Sequence, residues 1–404
     1  MTQQIMTEQN PVLIIGDSEV PLWGLSGRER LRRILARHGA AELVDERQRL
    51  AGDSDVLALR GDHLFDARVV ASLLKRCEPV AVTARAGGPV VAARGPLERV
   101  VPLVEGRQDA AQDDLPRLGA TELAGGYEQR LRNVSPPQVL PITAGERPAL
   151  ERELFAGSYK GVTDLVTKWL WPAPARAVTR SCVALGLQPN HVTLLSLVLA
   201  VAAGVAFYQG QFALGLVAGW IMTFLDTVDG KLARVTVTSS RFGDLLDHGL
   251  DLVHPPLWYL AWGLALAESW ALQPGLVTVI VLIFASYIAG RLCEGAFQLW
   301  LAPFSLFIWR PVDSFNRLIT ARRNPNLILL TAGAAAGRPD LGLWGVAAWH
   351  LVSTLFLALR LLVAHQARRR GPLESWMSRV DPVRDRQRLA VRSFTRVPLG
   401  ADGG

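Results

Sequence analysis

Cysteine is scarce in this chain of 404 residues: Cys77, Cys182 and Cys293 stand far apart, one of them within an apolar stretch. That spacing argues against a disulfide framework or a zinc site, and leaves packing as the simplest role for each. Lysine is nearly missing too, since 39 of the 43 basic residues are arginine. No apolar run of spanning length occurs before about Val183. The first one, Pro11 to Gly16, is short and has no basic flank before it. It does not read as a cleavable signal, so the amino-terminal part is expected to stay in the cytoplasm.

What is present is unevenly distributed. Half of the residues are hydrophobic, yet 20% are charged, and residues 1–150 hold much of the Arg, Asp and Glu. Six later segments approach the about 20 residues that cross a bilayer as a helix. They lie at 189–208, 211–232, 244–267, 275–299, 326–337 with extensions on both sides, and 341–364. Gly337-Arg338-Pro339-Asp340 interrupts the fifth. Arg234, Arg241, Arg310, Arg317, Arg322, Arg323 and Arg368 to Arg370 all follow even-numbered segments. The bias of arginine toward the cytoplasmic side then puts both termini there. A net charge of +7 fits attraction to anionic headgroups, and fits an arginine-rich composition equally well.

The first 105 residues alternate apolar strands (Pro11 to Ile15, Val56 to Leu59, Pro79 to Thr83) with helical patterns (Ser26 to His38, Asp66 to Cys77), as parallel βαβ units do. Residues 105–150 read as a loosely ordered connection. Ser158 to Arg180 mixes Tyr159, Trp169 and Trp171 with Lys160, Lys168 and Arg176, the composition of a helix lying on a membrane surface or of a plain linker helix. The expected layout is a cytoplasmic α/β domain over 1–140, a linker over 141–157, a juxtamembrane amphipathic helix over 158–186, an α-helical integral-membrane unit of six transmembrane helices over 187–370, and a cytoplasmic tail over 371–404.

Four acids lie inside or against these apolar segments: Asp226, Asp229, Asp247 and Asp251. A charge at membrane depth costs at least about 2.5–3.5 kcal/mol, so such a group needs neutralising and points to function. Spacings of three and four residues put each pair on one helix face. The short link around Thr236 to Ser240 makes the two helices antiparallel neighbours, so all four carboxylates can converge. Hard oxygen donors arranged this way suit Mg²⁺ or Mn²⁺, and four can hold two ions about 3.5–4 Å apart. Gly230, Ala233 and Gly243 leave room for a bulky ligand or a close helix contact, and Lys231 and Arg234 stand where they could meet phosphates.

The run Asp226-x-x-Asp229-Gly230-x-x-Ala233-Arg234, eight residues, Gly243-x-x-x-Asp247-x-x-x-Asp251 matches every specified position of the signature of the CDP-alcohol phosphotransferases. Pro189-Asn190-His-Val-Thr193 resembles that family's Pro-Asn-x-x-Thr element, and the resemblance covers about residues 158–365. It implies transfer of a substituted phosphate from a CDP-linked donor to an alcohol with release of CMP. It also implies that Asp226, Asp229, Asp247 and Asp251 hold two divalent cations, and that Asp251 is a ligand, the general base, or both. Asn190, Thr193, Asp226, Gly230, Ala233, Arg234 and Gly243 would form the nucleotide site; taken alone, Asn190 and Thr193 are equally consistent with a helix cap. Family members resembling this chain often pair as homodimers, and their partners are membrane lipids and substrates rather than nucleic acid.

Arg291, Arg310, Arg317, Arg322 and Arg323 follow on the same side, as an acceptor pocket for a phosphorylated polyol such as inositol phosphate or glycerol phosphate. Pairing of Arg291 with Glu294, three residues on, and headgroup contacts are the alternative. The whole layout resembles bifunctional inositol-phosphate cytidylyltransferase/di-myo-inositol-phosphate-phosphate synthases, with a degenerate nucleotidyltransferase-like amino-terminal domain. Asp62 stands where that family places a metal-binding acid, but only Gly16-Asp-Ser-Glu-Val20 stands where it has a Gly-rich phosphate loop. A bifunctional enzyme is therefore the nearest rival reading. A cation transporter is the rival from another class, opposed by acids confined to two adjacent segments.

Overall fold

The computed structural model describes residues 11–42, 50–85, 87–107, 113–238 and 241–397, with the backbone alone at 241–248 and 250–251. The amino-terminal unit opens as a βαβ motif: β1 (Val12–Ile15), α1 (Gly27–Arg37) and β2 (Asp55–Arg60), the two strands pairing in parallel. Ser26 starts α1 by accepting a hydrogen bond from the Glu29 amide at 3.3 Å. After β3 (His63–Phe65), Asp66 caps α2 (Ala67–Lys75) in the same way, accepting from the Arg68 amide at 2.9 Å. The expected all-parallel sheet then gives way to a mixed one. The connection from β4 (Val80–Thr83) to β5 (Val90–Pro96) is too short for a parallel crossover, so β5 turns back and pairs antiparallel with both β2 and β4. With α3 (Leu97–Val104) against it and β6 (Arg117–Leu118) at one edge, the order is β1-β2-β5-β4-β6.

Residues 105–150 are not the loose connection their composition suggested. They contain α4 (Ala120–Leu123), a hairpin of β7 (Tyr127–Glu128) and β8 (Asn133–Val134), and β9 (Val139–Pro141), which pairs antiparallel with β3. The expected linker is largely a helix, α5 (Arg147–Gly157), tied down where the Trp23 indole donates to the Glu151 carbonyl at 2.9 Å. The surface segment is broken into a wide helical turn at Val166–Leu170 and α6 (Pro172–Ala184), because Pro172 and Pro174 withhold amides and restart the helix.

Then come α7 (Pro189–Tyr208), α8 (Phe212–Val235), α9 (Arg241–Ala265), α10 (Leu276–Ala296), α11 (Pro311–Ile319), α12 (Arg323–Ala335) and α13 (Pro339–Arg368). Among the described residues, four helical segments are long and apolar enough to cross a membrane: α7, α8, α10 with its continuation to Leu301, and α13. At 13 residues α12 reaches only about 20 Å, short of an about 30 Å hydrocarbon core, and it stops where Gly337 turns with φ +67°. The bundle's interior is aromatic and small: Trp258, Trp262, Phe207 and Ala203 are buried together, and the Trp258 ring packs against Gly219 of α8. Outward faces carry exposed Leu194, Val198, Val201 and Val205, the pattern expected where the solvent is lipid. Residues 371–397 fold back through α14 (Leu389–Phe394), burying Met377 and Phe394 with Phe304, Phe307 and Trp309.

Candidate active site

The site is built around one turn of α8. Asp229 is buried, and its Oδ2 accepts the Thr193 hydroxyl of α7 at 2.7 Å. Pro189 begins α7 where a missing amide costs nothing, which sets Thr193 one turn in. Asp226, one turn before Asp229, accepts from Arg323 Nη2 at 2.5 Å, so the start of α12 orients the second carboxylate. Gly230 follows because Arg234 lies over it: Nη1 donates to the Gly230 carbonyl at 2.9 Å, and a Cβ there would stand 3.3 Å from the same nitrogen.

Two cavities meet at this turn. The first, of about 360 Å³, is lined by Asn190, Thr193, Asp229 and Ala233 from the bundle and by Glu128 and Asn133 from the β7–β8 hairpin, among others. The second, of about 330 Å³, takes in Asp226, Arg291, Glu294, Arg317, Arg322 and Arg323. Gly230 and Arg234 wall both. Leu252 and Pro255 bring α9 to the second. Among the described residues, cations outnumber acids in its lining. Burial, reinforced by Arg322, pushes the Arg317 guanidinium down to about 9, although Asp164 opposes this. For Asp164, burial alone would raise the carboxyl, but Arg317 and hydrogen bonds from Thr167 and Asn324 hold it below the usual range. Among the described residues, Nε and Nη1 of Arg317 and Oδ1 of Asn324 are buried without a hydrogen-bond partner, as in a site shaped for a ligand.

Most residues expected in the nucleotide site share the first cavity: Asn190, Thr193, Gly230, Ala233 and Arg234. Asp226 instead faces the second. Of the expected acceptor residues, Arg291, Arg317, Arg322 and Arg323 line the second cavity. Arg310 belongs to neither lining; its guanidinium lies over the Trp309 ring at 4.5 Å. Glu294 pairs with Arg322, both oxygens accepting from Nη2 at 2.5 Å, whereas Arg291 stacks on Tyr287 at 5.1 Å. Lys231 turns from the acids onto the Tyr159 ring, 3.7 Å away, and donates to the Ser158 carbonyl at 3.3 Å.

Gly243, Asp247 and Asp251 lie outside the residues whose side chains are described, and with them the convergence of four carboxylates. Among the described residues no three His, Cys, Asp or Glu side chains group as a metal site. Asp226 and Asp229 nevertheless offer hard oxygen donors one turn apart, and the charge resting on Asp226 is a cation, Arg323, so the donor set fits a divalent ion. Arg132, Lys160, Asp164 and Asn324 also line the second cavity and were missed from sequence. Only Asn324, directly after Arg323, had a local signal.

In the amino-terminal unit, the start of α1 is taken by the chain's own Asp17. Its Oδ1 accepts the Arg28 amide at 2.9 Å and its Oδ2 the Ser26 hydroxyl at 2.8 Å, where a phosphate would otherwise sit on the helix dipole. Asp62 is bound by Arg60 Nε at 2.9 Å and His63 Nδ1 at 2.7 Å.

Apolar helices enclosing oriented acids between two polar cavities define a helical membrane protein with a site for polar ligands. Residues 187–303 match the family model for CDP-alcohol phosphatidyltransferase. It is 34% identical over 79 residues to archaetidylinositol phosphate synthase of Pyrococcus horikoshii, covering 19% of this chain and 42% of that one. It is 34% identical over 105 residues to phosphatidylinositol phosphate synthase of Streptomyces avermitilis (24% and 41%), and 24% identical over 189 residues to cholinephosphotransferase 1 of Danio rerio (44% and 50%). The chain thus spans half the length, or less, of these relatives. The crystal structure of Mycobacterium tuberculosis phosphatidylinositol phosphate synthase with CDP-DAG bound aligns with TM-score 0.35 and 20% identity over 46% of this chain and 92% of that one.

Proposed function

We propose that the chain is an integral-membrane transferase that moves a substituted phosphate from a CDP-linked donor to an alcohol, releasing CMP. The observation carrying this reading is the meeting of two cavities at Gly230 and Arg234, between Asp229 on one side and Asp226 on the other. The donor's cytidine diphosphate occupies the first cavity and the acceptor the second, so the transferred phosphorus lies between them. A bond forms from the acceptor oxygen to phosphorus as the bond from phosphorus to the CMP oxygen breaks. The hydroxyl proton passes to Asp251 as general base. Asp226, Asp229, Asp247 and Asp251 would hold two divalent cations, Mg²⁺ or Mn²⁺, whose chemistry is to neutralise the diphosphate and the departing CMP.

The positive second cavity favours a phosphorylated polyol over a neutral alcohol. In this reading α9 and α12 complete a six-helix membrane unit, α12 spanning with its flanking residues. The site and both termini face the cytoplasm, and two copies pair. The relatives named as phosphatidylinositol phosphate synthase and cholinephosphotransferase agree with transfer of a substituted phosphate. The amino-terminal unit makes no CDP-alcohol, because Asp17 fills the helix end that a triphosphate would need. Incorporation of CMP from CTP by the full chain would overturn that point.

The test of the main reading is CMP-dependent breakdown, or synthesis, of CDP-alcohols by the purified protein with Mg²⁺ or Mn²⁺. Activity should vanish in Asp251→Asn, and full activity in that variant defeats the proposed base. Comparing lipids and soluble phosphodiesters of cells with and without the protein identifies the alcohols.

A further inference from the structure

The family domain begins at residue 187, yet both cavities are completed by a segment well before it. In the β7–β8 hairpin Arg132 and Asn133 are consecutive, and they serve different cavities: Arg132 lines the second, Asn133 the first. Arg132 ends the turn of the hairpin and Asn133 opens β8, so one hairpin walls both cavities from its turn and from its strand. The hairpin is held in place. Arg132 adopts φ +48°, its carbonyl accepts the Val162 amide at 3.2 Å, and the Leu131 carbonyl accepts the Gly161 amide at 2.9 Å. A Cβ at Gly161 would lie 2.5 Å from the Arg132 carbonyl oxygen, so the approach requires glycine.

Asn133 has an unmet acceptor, and Arg132 stands among other cations. Asn133 is 3% exposed, and among the described residues its Oδ1 has no hydrogen-bond partner. Among the described residues, the second cavity is lined by eight Lys or Arg side chains against three acids. Burial, and then the charge of Arg322, lowers the Arg132 guanidinium below the arginine range, with Glu294 opposing. An anion of at least two charges would relieve that repulsion and meet the unpartnered nitrogens of Arg317.

We infer that the β7–β8 hairpin is a substrate-specificity element of the transferase site, in which Arg132 binds the phosphate of an anionic acceptor and Asn133 contacts the nucleotide. This rests on the donor and acceptor assignment proposed above. It makes the amino-terminal unit part of the active site rather than an appended module.

The experiment is calorimetry on the full chain in detergent. Inorganic phosphate is titrated with CMP saturating, so that the donor cavity is filled, and CMP is titrated without phosphate. Arg132→Asn, whose side chain tolerates positive φ, should weaken phosphate binding at least about tenfold and change CMP binding by less than about twofold. Asn133→Ala should do the reverse. Arg132→Lys should retain part of the phosphate affinity. Unchanged phosphate binding in Arg132→Asn, or an equal loss of both ligands in either variant, overturns the inference. If the wild type binds CMP but not phosphate, the anion site is wrong and the transferase reading stands. If it binds phosphate but not CMP, the transferase reading fails and the anion site stands.

Discussion

Thr193 gives its hydroxyl hydrogen to Oδ2 of Asp229 across 2.7 Å, joining the second turn of α7 to the last third of α8. The two residues belong to separate sequence elements, and the bond fixes the direction of the carboxylate. Thr193→Val keeps the shape and removes the donor. Groups that orient a metal-binding carboxylate typically contribute about 10–100-fold, so turnover should fall within that range and need more Mn²⁺ to saturate. Thr193→Ser should restore most of it. Rates measured against Mn²⁺ concentration decide the matter, and a Thr193→Val enzyme with wild-type saturation sinks the orienting role.

Gly230→Ala separates activity from stability. The new Cβ meets only the end of the Arg234 side chain, at 3.3 Å, which can move aside. Alanine also favours a helix interior over glycine by about 0.5–1 kcal/mol. The melting temperature should hold or rise, while affinity for CMP falls because Arg234 is pushed from its place over the turn. Equal CMP affinity in the two proteins would falsify the placement of Arg234 at the nucleotide.

Glu294→Gln leaves Arg322 with a neutral partner in a cavity already rich in cations. Breaking a buried pair costs about 3–5 kcal/mol, and each partner here is about a fifth exposed, so the loss should sit at or below the bottom of that range. Chemical unfolding should show it. Pairing Glu294→Gln with Arg322→Met should recover much of the loss; if the double variant is less stable than the single one, the ion pair is not what holds Arg322.

The Asp62 carboxyl predicts a pH dependence. Burial would raise it, but hydrogen bonds from His63 and Arg60 outweigh burial and hold it below the carboxylate range. A carboxyl lowered in the folded state contributes stability that is complete above its unfolded value of about 3.9 and is lost as pH falls through the lower folded value. Wild type should therefore exceed Asp62→Asn in melting temperature at pH 7, and the gap should close below about pH 4. A gap of constant size across that interval argues against the ion pairs as its cause.

Much of this molecule is legible without coordinates. The caps Ser26 and Asp66 and the apolar runs of α7, α8, α10 and α13 are local signals, each readable within a few turns of chain. β5 is absent from the sequence reading, and its reversal is not legible there, because an apolar strand buried on both faces reads the same whether its neighbours run parallel or antiparallel. Residues 105–150 were misjudged because strands of two or three residues, such as β7, β8 and β9, carry no periodicity to detect. Arg310 was drawn into the acceptor group by its position in an arginine-rich loop, and only packing shows it lying against Trp309.

The four aspartates, their spacing and the small residues among them are properties of the chain alone, because helix geometry turns spacing of three or four directly into a shared face. Which side chains reach that face from elsewhere was settled by tertiary structure. Arg323 on Asp226, Thr193 on Asp229, and Arg132 and Asn133 from an amino-terminal hairpin come together only because packing joins segments about 35 to 100 residues apart, a separation over which sequence has no periodic signal.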